Sequence, residues 1–185
     1  MAAGIKIEAQ RILLREYKSD ASDLESTLKF VGDPEVAKNS SWGPLNRDEA
    51  VDWLKGAIAA KDILPRLSFG LALVVKSTDE LIGHISLNIR NLVNKEAELG
   101  YTIRRDHWHQ GFATEAARAV LGFSFTELGL HRIIANTSPH NIASQKVLEK
   151  LGFTREGYLR KNVLQRSQWR DSCLYAFLED DWKSK

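Results

Sequence analysis

Three β-type stretches, 68–76, 81–90 and 96–104, follow one another through connections of only a few polar residues, and an apolar helical stretch over 111–128 comes straight after them. Parallel neighbours need a crossover of a dozen residues or more, whereas the turn Ser77-Thr78-Asp79-Glu80 and the link 91–94 are hairpin-sized. The middle of the chain is therefore an antiparallel meander, and a doubly wound parallel sheet is excluded. In the helical stretch Phe112, Ala116, Ala119, Val120 and Phe123 recur at helical spacing, and Ala113 and Ala117 widen the stripe for close packing on a sheet. Gly129 is positioned to end that helix.

Around this centre the pattern predicts a strand over 12–15, a helix from about 20 to 31, and a break at Asp33-Pro34. Asn46 with Glu49 three residues on forms a capping pair for a helix running to about 61 and stopping before Pro65. After the long helix come a buried strand over 131–136, a helix over 141–151 closed by Gly152, and strands over 153–159 and 169–178. Such an order fits an α+β fold with helices packed on a mixed sheet.

The chain has 185 residues, 43% of them hydrophobic and 27% charged, with a formal charge of +2. One domain over 1–185 is expected, since a chain of this size can bury roughly 70% of its unfolded surface. The near-balanced charge argues against a dedicated nucleic-acid binder, although 141–170 holds seven Lys or Arg against two Glu, either a solvated face or a landing strip for a polyanion. The lone Cys173, set in an apolar run, excludes a disulfide scaffold. The opening MAAGIKIEAQR has no leader-like apolar core, and no run approaches the roughly 18 apolar residues of a membrane span. A cytoplasmic protein that does not enter membranes is the expectation.

Two segments carry chemistry. Residues 108–115, Trp-His-Gln-Gly-Phe-Ala-Thr-Glu, lead into the long helix, where Gly111 lets backbone amides approach a ligand and the first amides of the helix lack internal partners. A pyrophosphate suits such a place, though a glycine at a helix start is also an ordinary turn. In 141–157 Asn141 begins a helix and Ser144 stands one turn in, with Val147, Leu148 and Leu151 inward. This is equally a capped amphipathic helix and a way to point polar groups into a cleft.

Together with Arg11-Ile-Leu-Leu-Arg15, Leu81-Ile-Gly-His-Ile85 and Ala97-Glu-Leu-Gly-Tyr101, these segments resemble the GCN5-related N-acetyltransferase (GNAT) superfamily, in particular its RimJ/RimL-like ribosomal-protein N-terminal acetyltransferases. The resemblance implies a mostly antiparallel mixed sheet flanked by helices, with a V-shaped splay between the fourth and fifth strands that opens at a bulge and admits acetyl-CoA. Thr102 and Ile103 would then pair with the pantetheine arm, and the amides of His109, Gln110, Gly111, Phe112, Ala113 and Thr114 would hold the pyrophosphate. Asn141 and Ser144 would lie beside the cofactor, with Lys146, Lys150 or Arg155 reaching its phosphates. Trp108 stands where most of the superfamily has Gln or Arg, and His109 where a small residue is usual.

The implied reaction is direct transfer of the acetyl group to an amine, with no metal. Glu98 shares a strand face with Gly100 and Thr102, which makes it the candidate base, the alternatives being an ammonium anchor or a solvated carboxylate. The tyrosine that many members carry on the helix is replaced by Leu148, so the resemblance gives Ser144 as proton donor to the leaving thiolate, or as a cofactor contact only. Cys173 is a core residue before it is a nucleophile. Trp42, Trp53, Trp108 and Trp169 are candidates for the acceptor side. The acceptor is a protein N-terminus or a small amine such as an antibiotic, polyamine or amino acid; a catalytically silent acyl-CoA sensor is the alternative from another class. Edge strands leave both a monomer and a homodimer open.

Overall fold

In the computed structural model residues 4–40 and 42–184 are described; Met1 to Ala3, Ser41 and Lys185 of the expected 1–185 unit lie outside the described residues. The elements run β1 (Lys6–Glu8), β2 (Ile12–Arg15), α1 (Ala21–Val31), α2 (Pro34–Ala37), α3 (Arg47–Ala59), β3 (Ser68–Val75), β4 (Glu80–Asn91) and β5 (Glu96–Ile103). They continue with α4 (Phe112–Thr126), β6 (Arg132–Thr137), α5 (Ile142–Leu151), β7 (Thr154–Gln165), β8 (Gln168–Leu178) and α6 (Glu179–Lys183). The strands form one sheet in the order β1-β2-β3-β4-β5-β6-β8-β7, antiparallel throughout except between β5 and β6. The α+β architecture with a mixed, mostly antiparallel sheet is thus the one the sequence and its resemblance imply.

Local chemistry explains where the helices begin. Asp20, Asp33 and Asn141 each accept an amide of the first turn, and Asn46 and Glu49 form a reciprocal capping box. Asp33-Pro34 does more than break a helix: Asp33 accepts from the amide of Glu35 at 2.8 Å, and Pro34 opens the short α2. The sheet is covered on both faces. One apolar cluster joins Leu71, Leu73, Ile85 and Leu99 to Ala116, Val120, Leu148 and Leu151 of α4 and α5. A second joins Ala72, Val74 and Leu81 to Phe30 and Leu54 of α1 and α3. The β3 strand contributes to both, which is why it reads as a continuous apolar run.

Several expectations need correction. The three-residue β1 is too short to leave an alternating signature, and its presence makes the splayed strands the fifth and sixth rather than the fourth and fifth. The long helix ends at Thr126 with Glu127 as its cap, and Gly129, at φ +59°, takes the turn that follows. The helix predicted to about residue 61 ends at Ala59 and continues as a 3-10 turn over Ala60–Asp62. The strand expected over 153–159 continues to Gln165, past register shifts between Leu159 and Val163. No register break falls within Ala97–Ile103; the slip lies on the neighbouring β4 between Ile89 and Asn91, at Arg90. Cys173 is buried in the first cluster.

The α1 helix is pinned to the sheet by a buried ion pair. Both Asp23 carboxylate oxygens accept from Arg15, at 2.7 and 2.8 Å, and the Lys18 amide adds a 2.7 Å bond. Burial works against the charged carboxylate, but Arg15 and the Lys18 amide outweigh it and hold the Asp23 pKa below the usual carboxylate range. Its contribution is therefore full above the unfolded-state pKa and is lost as pH falls through the lower folded-state value. Asp23→Ala, which strands a buried guanidinium, is expected to cost about 3–5 kcal/mol in urea denaturation at pH 7, with the deficit shrinking as the pH is lowered below about 4.

Candidate active site

The sheet opens at its one parallel pairing. The β5 and β6 strands are in register only at Glu96–Arg132, Ala97–Ile133 and Glu98–Ile134, after which β5 stays with β4 and β6 with β8. The backbone of β5 beyond Glu98 thereby loses its ladder partner on that side, and amide-rich ligands can satisfy such an edge as an added strand would. The Glu98 side chain bridges the vertex by accepting from Asn136 Nδ2 at 3.1 Å.

Two cavities meet at this opening. The larger, about 590 Å³, lies between the upper part of β5, the loop before α4 and the start of α5. Thr102, Ile103, His109, Gly111, Phe112, Ala113, Thr114, Asn141, Ser144 and Lys146 line it, so all but one of the predicted cofactor residues converge. The exception is Gln110, whose side chain donates to Asp106 O at 3.1 Å. Lys150 and Trp108 also line this cavity, whereas Arg155 does not.

The loop is built to present amides. His109 and Gly111 both have positive φ, +61° and +82°, and Trp108 Nε1 donates to Ile103 O at 2.7 Å, tying the loop to the end of β5. The α1, α2, α3 and α5 helices start on an Asp or Asn cap, but α4 starts on Gly111 with no side-chain cap. Its first amides thus carry the positive end of the helix dipole without an internal acceptor, a fit for a diphosphate.

Arg11, at the head of β2, holds this loop from behind. Its Nε and backbone N–H donate to the two carboxylate oxygens of Glu115 at 2.7 and 2.6 Å, its Nη1 donates to Gln110 O at 3.0 Å, and its guanidinium lies 4.6 Å from the Phe112 ring centre.

The smaller cavity, about 340 Å³, wraps the free edge of β5 toward His84 and Trp53 and shares Asn39, Ser40, Tyr101, Thr102, Asn141 and Ser144 with the first. Glu98, Ser86, His84, Trp42 and Trp53 line it; Trp108 belongs to the other half, and Trp169 is exposed and lines neither. Glu98 Oε2 accepts from Arg90 Nε at 2.8 Å and from Arg90 Nη2, and Oε1 accepts from Asn136. The bulge residue Arg90 thus reaches the carboxylate from the next strand, as bulges commonly re-aim a side chain. His84, between Tyr17 and Trp53, is pushed down to about 4 by loss of hydration and is neutral near pH 7.

At the junction of the two halves the Tyr101 hydroxyl lies 2.9 Å from Ser144 Oγ and donates to Ser144 O at 3.3 Å. Burial pushes the Tyr101 pKa up to about 12, the Ser144 hydrogen bond pulling modestly the other way, so the phenol keeps its proton at neutral pH. Sequence reasoning sought a phenol on the helix and met Leu148, which lines the smaller cavity. The phenol comes instead from β5. Its signal was the alternation that set Tyr101 on the face covered by α4 and α5, where a buried hydroxyl needs a partner.

A splayed sheet edge beside an uncapped helix start suits an amide-rich, phosphate-bearing ligand, and the second cavity leaves room for another molecule beside it. The family described as Acetyltransferase (GNAT) domain matches residues 11–154, and the chain belongs to it. It is 32% identical over 179 residues to the uncharacterized N-acetyltransferase YnaD of Bacillus subtilis, covering 95% of this chain and 98% of that one. A crystal structure of a GNAT-family acetyltransferase from Bacillus anthracis superposes with a TM-score of 0.85 at 30% identity, covering 95% and 99% of the two chains. The [ribosomal protein uS5]-alanine N-acetyltransferase of Escherichia coli is 39% identical over 84 residues, 45% of this chain and 43% of that one. This is an acetyl-CoA-dependent N-acetyltransferase.

Arg11→Ala is expected to raise the dissociation constant for coenzyme A about tenfold in calorimetry, with kcat at saturating acetyl-CoA within about twofold, because the loop amides lose their backing while the reacting groups stay in place.

Proposed function

We propose that the chain acts as one domain that acetylates a single amine, the α-amine of a protein N-terminus. The observation that carries this reading is the charge of the smaller cavity. Among the described residues its carboxylates are Glu98 and Asp171. On Asp171 each oxygen already has a partner within the β7–β8 hairpin, Oδ2 accepting from the Tyr158 hydroxyl at 2.6 Å and Oδ1 from the Lys161 amide at 2.7 Å. Of about four acceptor positions on Glu98, Arg90 takes two on Oε2 and Asn136 one on Oε1, leaving room for one ammonium proton. A polyamine needs a second anionic station. The partial likeness to the uS5-alanine enzyme supports a protein N-terminus as well.

In this reading Glu98 accepts the ammonium proton, directly or through water, and Arg90 and Asn136 position its carboxylate. The loop amides from His109 to Thr114 and the β5 edge at Thr102 and Ile103 bind acetyl-CoA, with Lys146 beside its phosphates. An amide on the open edge of β5 stabilises the oxyanion that forms at the thioester carbonyl. Ser144 gives its hydroxyl proton to the leaving thiolate, Tyr101, protonated and 2.9 Å away, replaces it, and the second proton shed by the amine nitrogen as the C–S bond breaks passes through solvent in the cleft to restore the phenol. Asn141 holds the Ser144 turn through its 3.1 Å bond to the Ser144 amide. A proton source therefore remains despite Leu148, which favours turnover over a silent sensor, and the chemistry needs no metal.

Release of free thiol from acetyl-CoA over a panel of N-terminal peptides and small amines tests the reading: turnover confined to peptides is expected, and turnover confined to polyamines overturns it. Within that assay Glu98→Gln should lower kcat at least tenfold at pH 7 with little change in coenzyme A affinity. Ser144→Ala should lower kcat on its own, and Tyr101→Phe should add little in the Ser144→Ala background, as for groups in one proton path.

A further inference from the structure

The smaller cavity is walled beyond β6 by a hairpin that the reaction as described does not use. The β6 strand pairs with β8 only as far as Thr137–Cys173, so Gln168 to Ser172 of β8 run on with β7 as their partner. The hairpin tip is fastened across the cavity to the α2–α3 connection: Gln165 Nε2 donates to Ser40 O, and Arg166 Nη2 donates to Ala37 O at 3.0 Å. Because Cys173, Tyr175 and Phe177 face the α4 and α5 side, Arg170 and Ser172 face the other side, that of Glu98 and Thr102. Both line the cavity.

The Arg170 side chain makes no hydrogen bond or ion pair with any described residue, and its chain neighbour Asp171 accepts instead from Tyr158 and Lys161. It is the cation among the cavity-lining residues of this half, and the carboxylates there are already engaged. Strand register locates it. Glu98 is level with Ile134, which is level with Ala176, so Arg170 stands six residues farther along β8. At about 3.3 Å per residue that is roughly 20 Å of strand, part of it spanned by the arginine side chain itself.

On the strength of the N-terminal reading above, we propose that Arg170 selects acceptor tails that carry an acidic side chain a few residues behind the reacting amine. An extended tail advances up to about 3.5 Å per residue, which puts that side chain at about the third to sixth residue. A free amino acid is too short to reach both stations, and a polyamine would set its second charge against the guanidinium.

Peptides identical except for Glu, Gln or Lys at each of residues three to six, assayed at low ionic strength, test the proposal. Wild type should favour Glu over Gln by about fivefold in kcat/KM at one or two adjacent positions, and Gln over Lys. Arg170→Glu should reverse the order, with coenzyme A affinity unchanged in calorimetry; added salt should compress both series. Equal rates for all three peptides in wild type, or a Glu preference that persists in Arg170→Glu, overturns the role of Arg170 while leaving peptide acetylation standing. Turnover of small amines with no peptide acetylated overturns both readings. Arg170 is exposed, and unchanged melting of the variant separates loss of selection from loss of fold.

Discussion

The site depends on a pairing that stops. Three residues of β5 and β6 are joined and the rest of the two strands are not, so the sheet is two antiparallel blocks hinged at one short parallel seam. The seam is reinforced where it is narrowest. His131 N–H donates to Lys95 O at 2.9 Å below it, and Arg132 ties Glu96 of β5 to Glu156 of β7. Those carboxylates hold the Arg132 pKa well above its ordinary value. A firm vertex with open arms keeps unpaired backbone groups at a fixed spacing, and a flexible seam would let the arms close on each other and satisfy themselves.

From that vertex the two faces of β5 take different work. Odd positions of the strand, Ala97, Leu99, Tyr101 and Ile103, pack beneath α4 and α5, while Glu98, Gly100 and Thr102 face the opposite side. The free edge of β5 lies between the two cavities, and Tyr101 and Ser144 meet where both reach it. Arg11 extends the same economy to the far end of the cofactor cavity, since the strand that seats it also lies in the core sheet.

Local pattern was enough to read the meander, the main helices and the caps at Asn46, Asn141 and Gly152, because each is set by residues close in sequence, whereas the cap expected at Gly129 falls on Glu127. Three-residue β1 and five-residue α6 carry too little pattern to be read that way; α6 is held by Trp182 against Phe125, a tertiary contact. The extension of β7 through Arg160, Lys161 and Asn162 has no alternation, and Lys161 has positive φ. The splay was legible only by resemblance, since which strands cease to pair is not a property of either strand. Arg90 and Tyr101 were missed for a related reason. Each acts on a residue from another element, through a bulge in one case and a helix turn in the other.

The ionisations in the cleft bear on the amine proposed for it. Tyr101, held near 12, keeps its proton far above neutrality, and His84, near 4, has none to give above about pH 5. Neither therefore sets the protonation of the nucleophile in the neutral range. An α-amine, with a pKa of about 7.7–8.0, yields a usable neutral fraction near pH 7, whereas an alkyl ammonium near 10.4 yields about one part in 2,500. The α-amine therefore asks less of Glu98, the base proposed above, than an alkyl ammonium would. The proton inventory of the cleft thus accords with the α-amine proposed as acceptor.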